Sequence, residues 1–290
     1  MNLLTPARAE LDLTRQLDVE RFVAEARPEY VFLAAARVGG LPENQRVPAD
    51  LIHENLAIET AVLGAARRER VRGLVLFGSS CMYPREAAQP LAEEALLSGP
   101  LEPTSRAYAV AKLAGVELCR AVAQQDGLRF RVLIPATLYG PHDHFGTSRA
   151  HVIPALMERL HAARSAGRDS VPVLGTGQAR REFLHVDDAA AAAVCLMSAE
   201  DAPVVVNAGA GSDLSILELA RLIARTVGFA GRLDFDAAAP DGAPRKLLDS
   251  ARSTALGWQP RVELAAGLAQ TYDWYRKHVG TADGTEERAE

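Results

Sequence analysis

Short apolar runs alternate with longer stretches in which apolar residues recur every three or four positions, and this rhythm holds from residue 30 to residue 227. The runs at 30–35, 73–77, 130–134, 171–174 and 204–207 are rich in Val, Leu and Phe. Such continuous apolar strands are buried on both faces, as happens when helices cover both sides of a parallel sheet. The periodic stretches 48–68, 105–125, 151–166, 187–198 and 214–227 supply those helices. The prediction is an α/β protein with a doubly wound, Rossmann-like parallel sheet.

Beyond residue 140 the rhythm loosens, and Gly- and Pro-rich loops at 140–146 and 237–244 interleave with shorter elements. We therefore expect a dinucleotide-binding-type domain over 1–145, to which strand 171–174 and helix 187–198 return. Residues 146–279 would form mainly a smaller substrate lobe, and the polar stretch 280–290 a frayed tail. No internal repeat is present. A dinucleotide fold ordinarily opens with a strand, a Gly-rich turn and a helix whose backbone N–H groups hold the pyrophosphate. That spacing is absent here, Val38-Gly39-Gly40 follows a later strand, and residues 1–14 read as the end of a second strand and its loop. The expected fold is thus shortened at its amino end.

Composition narrows the partners. A net charge of -5 offers no broad positive field for nucleic acid or an anionic membrane. Three scattered cysteines without C-x-x-C make neither a disulfide framework nor a structural zinc site. With no uncharged apolar run of about 18 residues, the expected setting is the cytoplasm. His142 and His144 flank Asp143, but three adjacent loop residues seldom wrap one ion, and no metal is expected.

The candidate chemistry centres on Tyr108-Ala-Val-Ala-Lys112 and, upstream, Gly78-Ser79-Ser80-Cys81 at the carboxyl end of an apolar strand. Open α/β sheets place their sites at that end. On a helix, positions i and i+4 share a face, so the Lys112 ammonium is expected beside the Tyr108 ring, bringing the phenol down from its usual value near ~10. Such a phenol can pass a proton to or from an alcohol or carbonyl oxygen, with the Ser79 hydroxyl as orienter. Read alone, Cys81 is as readily a small buried hydrophobe, and His151 a helix-start residue facing solvent.

Seven segments carry a more specific resemblance: residues 8–14 (RAELDLT), 32–40 (FLAAARVGG), 78–84 (GSSCMYP), 99–104 (GPLEPT), 151–156 (HVIPAL), 181–188 (REFLHVDD) and 244–249 (PRKLLD). By these, from about residue 4 to residue 277, the chain resembles the GDP-L-fucose synthases, extended short-chain dehydrogenase/reductases that invert C3 and C5 of a GDP-4-keto-6-deoxymannose and reduce its C4 ketone with NADPH. The resemblance implies that Cys81 is the epimerisation base and His151 the acid, with Ser79, Tyr108 and Lys112 as the reductase triad. It places Arg8 at the 2′-phosphate of NADP(H), Asp12 near the adenine, Ala34 and Ala35 along the pyrophosphate path, and Asn55, Tyr108 and Lys112 beside the cofactor. It sets Arg159, Leu174, Arg181 and Lys246 around the nucleotide sugar, and it implies a homodimer through helices 48–68 and 105–125.

Several positions depart from the family pattern. Leu174 stands in place of a tryptophan, Ala136-Thr137 in place of Thr-Asn, and Ser105-Arg106-Ala107 in place of Asn-Glu-Pro. Two other functions stay open on the residues themselves: a cofactor-independent epimerase or lyase acting on a carbonyl compound, and a silent binding subunit.

Overall fold

The computed structural model describes residues 2–147 and 150–280. Its elements run α1 (Gln16–Ala26), β1 (Tyr30–Leu33), α2 (Leu41–Arg46), α3 (Pro48–Arg68), β2 (Gly73–Phe77), α4 (Arg106–Asp126), β3 (Arg129–Pro135), β4 (Thr137–Tyr139) and α5 (Val152–Ser165). They continue as β5 (Ser170–Leu174), β6 (Arg180–Arg181), β7 (Phe183–His185), α6 (Val186–Ser198), β8 (Val205–Ala208), β9 (Leu214–Ser215) and α7 (Ile216–Val227). β10 (Arg232–Asp236), β11 (Arg245–Lys246), α8 (Ala251–Ala255) and α9 (Leu264–His278) complete the described chain.

β1, β2, β3 and β8 form a parallel sheet in that order. Leu74, Val75, Leu76, Val132, Leu133 and Ile134 have no meaningful exposure, because α3 and α4 cover one face and α6 the other. The doubly wound pattern expected from the apolar runs is the one observed. The run 30–35 pairs only as far as Leu33, and Ala34 and Ala35 leave the sheet exposed at its carboxyl end.

A second hydrophobic core joins α5, α7 and α9 around Leu156, Met157, Leu160, Leu219, Ile223 and Leu268. Here one expectation is corrected. Strand 171–174 does not return to the main sheet: β5 pairs in parallel with β10, and Val171 and Val173 pack into the second core. The alternation of buried Val with exposed Pro172 and Leu174 is that of a strand with one covered face, unlike the runs of the main sheet. Helix 187–198, by contrast, lies on the main sheet as α6. Residues 2–14 contain no strand; Asp12 instead caps the approach to α1 by accepting from the Thr14 amide and hydroxyl. Most of the tail expected to fray, 281–290, lies outside the described residues. Among the described residues no helix is long and apolar enough to cross a membrane.

Candidate active site

The site begins where β2 stops. Gly78 extends the ladder by donating to the Leu133 carbonyl, 2.7 Å. A Cβ there would meet the Met82 methyl at 2.8 Å and Ile134 at 3.1 Å, so a larger residue would have to displace the Met82 side chain packed over this turn. Ser79 then caps a single 3₁₀ turn, Ser80–Met82, its Oγ accepting from the Cys81 amide at 3.2 Å. That turn packs against α4, which brings the Cys81 thiol and the Tyr108 phenol beside the same Ser79 hydroxyl.

The two acidic side chains at this point are driven in opposite directions. Burial pushes the Tyr108 phenol above its ordinary value, the neighbouring Cys81 charge adds to the rise, and the Ser79 hydroxyl opposes it. Burial also works against ionisation of Cys81, but Lys246, together with the Ser79 and Ser105 hydroxyls, overcomes it, and the thiol lies below the usual range. Lys246 Nζ donates to Cys81 Sγ at 3.4 Å. Arg181 adds its positive charge nearby.

Lys112 departs from expectation. Its ammonium does not act on the Tyr108 ring: it donates to Glu59 Oε1 of α3 at 2.7 Å, and both side chains are only 2% exposed. Burial raises the Glu59 carboxyl, and the Lys112 charge opposes that rise. The fit is close, since a Cβ on Gly115 would stand 2.3 Å from Glu59 Oε2 and 2.7 Å from Leu76. Glu59 escaped the sequence reading, although a carboxylate within the apolar stripe Leu51, Ile58, Val62 of a helix is a signal in itself: buried carboxylates need a cation or a proton.

His151 precedes the first residue of α5. Burial lowers its imidazole, and Asp143 opposes the drop. Asp143 Oδ2 is buried without a hydrogen-bond partner, and burial raises that carboxyl. Both groups are thus driven toward their neutral forms. Among the described residues no hydrogen bond joins His151 to the Cys81–Tyr108 cluster. In the sequence Asp143 stands out only as the residue between His142 and His144. Its neighbours serve elsewhere, His142 packing on Trp274 with ring centroids 4.8 Å apart and His144 being exposed.

The remaining sequence-predicted positions divide. Arg159 donates to the Ala155 and Pro172 carbonyls, both at 3.1 Å, and burial lowers it. Arg181 donates to the Arg180 carbonyl at 2.7 Å and the Asp241 carbonyl at 3.1 Å. Leu174 is 58% exposed at the end of β5. Asn55 is buried and holds the loop after β1: its amide donates to the Arg37 and Leu51 carbonyls, and its oxygen accepts from the Arg37 amide. With both amide hydrogens engaged, it can act on a cofactor only by shaping that loop. Arg8 is exposed and adds its charge to that of Arg15 in lowering Asp12, whose larger influence is its bonds to Thr14.

For a dinucleotide, the donor set fits at three points: the side-chain-poor, exposed Ala34–Ala35 segment at the sheet's carboxyl end, the exposed guanidinium of Arg8, and the Tyr108 phenol. Among the described residues no group of three or more His, Cys, Asp or Glu side chains is placed to hold a metal.

The model of the NAD dependent epimerase/dehydratase family matches residues 3–209. The chain belongs to that family. It is 50% identical over 278 residues to GDP-L-fucose synthase 1 of Arabidopsis thaliana, covering 96% of this chain and 86% of that protein. It is 46% identical over 284 residues to GDP-L-fucose synthase of Escherichia coli, covering 95% and 88%. Among solved structures it is similar to a GDP-mannoheptose C4 reductase from Campylobacter jejuni with NADP bound, with TM-score 0.85, 36% identity, and 95% and 90% of the two chains covered. Family membership places the main sheet and the turn after β2 in an enzyme scaffold and argues against a silent subunit.

Proposed function

We propose that this protein converts a GDP-4-keto-6-deoxymannose to GDP-L-fucose or a close relative, inverting C3 and C5 and then reducing the C4 ketone with NADPH. The observation that carries this reading is the convergence of Cys81 and Tyr108 on one serine, with the Lys246 ammonium donating to the sulfur at 3.4 Å, which tunes the two groups in opposite directions. Inversion needs a base that is ionised at neutral pH, and reduction needs an acid that still holds its proton. Environments that push two titratable groups apart assign those roles.

In the first half the Cys81 thiolate takes the proton from the carbon beside the ketone. The C–H electron pair moves to the carbonyl oxygen, which the Ser79 and Tyr108 hydroxyls face as donors. His151 returns a proton on the opposite face. Its imidazole is low in the free protein, but the diphosphate and the forming enolate add negative charge that favours imidazolium. In the second half NADPH, when bound, supplies hydride to C4. Tyr108 gives its proton to O4, and Ser79 steadies the phenolate left behind.

Arg159 and Arg181 supply the guanidinium forks for the diphosphate, Leu174 lies at the pocket rim, Arg8 takes the 2′-phosphate, and Asp12 lies toward the adenine. Lys112 contributes its cation from within the Glu59 pair rather than as a free neighbour of the phenol. The enzyme works in the cytoplasm, in keeping with three free thiols, and as a homodimer. The dimer is supported by the open groove lined by Leu97, Leu101, Val110 and Leu113, where Leu97 is 57% exposed on the flank of α4; sedimentation at several concentrations tests it.

The test of the reaction is to incubate the protein with the GDP-keto-sugar in D2O, with and without NADPH. Deuterium at C3 and C5 without NADPH, followed by NADPH oxidation when it is added, is the expected result. Exchange with no oxidation at saturating NADPH would instead favour a cofactor-independent epimerase, and neither signal would refute the reading.

A further inference from the structure

β6 and β11 are two-residue strands paired in parallel, with Arg245 opposite Arg180 and Lys246 opposite Arg181. Successive side chains of a strand point to opposite faces, so four cations in two rows must divide two and two. Arg180 and Arg245 both turn to Asp213, Arg180 at 2.9 Å, and that carboxyl is lowered by them. Arg181 and Lys246 turn the other way, to the floor that carries Cys81.

The two cations on the Cys81 face are not equivalent. Arg181 is anchored through its guanidinium to the Arg180 and Asp241 carbonyls, with the Asp241 and Glu102 charges nearby. Lys246 makes no ion pair with any carboxylate among the described residues; its one side-chain hydrogen bond is to sulfur. A half-buried ammonium aimed at a thiol, with no carboxylate to neutralise it, favours the thiolate.

We propose that Lys246 is the positioning residue that holds Cys81 as a thiolate, leaving the diphosphate to the arginines. The groups facing the thiol are then Lys246 from β11, Arg181 from β6, Tyr108 and Ser105 from the start of α4, and Ser79 from its own turn. Of these, Lys246 alone is a cation in hydrogen-bond contact with sulfur. During exchange the proton from carbon goes to Sγ, the thiolate charge passes to the ketone oxygen, and Lys246 keeps its proton throughout. The inference rests on reading Cys81 as the base, but its test needs no substrate and so can fail independently of that reading.

Cys81 is partly accessible, and a small neutral alkylating reagent is the probe suited to it. The rate of iodoacetamide modification at Cys81, located by peptide mass, is followed against pH in the free 290-residue protein. The parent protein should show a midpoint below the ordinary thiol value of ~8.5. Lys246→Met should raise that midpoint by about one unit or more and slow modification at pH 7 about tenfold, while Lys246→Arg keeps it low. Arg181→Met should move it less than Lys246→Met does. An unchanged midpoint in Lys246→Met, with the circular dichroism spectrum intact, would overturn the proposal, and so would a larger shift in Arg181→Met. If Lys246→Met does not fold, the Lys246→Gln midpoint decides the matter in the same way.

Discussion

The two sides of the site solve the same problem, the ionisation of a weak acid in a poorly solvated place, with opposite outcomes. On the thiol side the small sheet of β6, β9 and β11 sends Lys246 directly to the sulfur. On the phenol side a lysine is also close in sequence, yet Lys112 is matched by Glu59 and the phenol stays protonated. A cation matched by a carboxylate acts less on a third group than one whose charge is unclaimed, and that difference separates the two sides.

The largest test of this contrast is Tyr108→Phe. Removing the proton donor should lower NADPH-dependent reduction by about 10²–10⁴. Deuterium exchange at C3 and C5 should fall less, since it loses one of the two donors to the enolate oxygen but keeps its base and the Ser79 hydroxyl. Parallel loss of both activities would erase the distinction between the two sides.

Next in size is Glu59→Gln. Breaking a buried ion pair by removing one partner leaves an uncompensated charge, at a cost of about 3–5 kcal/mol. We expect a melting temperature lower by roughly ten degrees, and partial recovery in Glu59→Leu combined with Lys112→Leu. A Glu59→Gln protein that melts like its parent would mean that Lys112 is not held as described.

Asp143→Asn probes the acid. Asparagine cannot supply the negative charge that Asp143 sets beside His151, so the imidazole falls further, and the limb of the exchange profile that reports His151 should move to lower pH. The limb that reports Cys81 should not move. The smallest effect is Leu174→Trp: an indole at this exposed rim position offers a stacking surface of about 0.5–1.5 kcal/mol. The expected outcome is a KM for the nucleotide sugar a few-fold lower with kcat unchanged.

The main sheet was legible because apolar runs without alternation admit few folds, and each of its strands came from such a run. Strand 171–174 misled because a run as short as Val-Pro-Val-Leu looks alike whether one face is covered or two; its partner β10 lies some sixty residues away and alternates polar with apolar. The positions of Ser79, Cys81 and Tyr108 at one point followed from the strand end and the helix. The partners of the two lysines did not, because i,i+4 spacing speaks only of one helix. Glu59 enters from a second helix and Lys246 from a two-residue strand whose facing is fixed by Asp213 on the far side.

The most direct measurement is solvent exchange in Cys81→Ser. With the GDP-keto-sugar in D2O, NMR of the parent protein should show deuterium entering C3 and C5, while the serine variant, whose hydroxyl cannot ionise near neutral pH, should lose that incorporation by two orders of magnitude or more. Exchange in Cys81→Ser at the parent rate would contradict the assignment of the thiol as base and with it the division of the site.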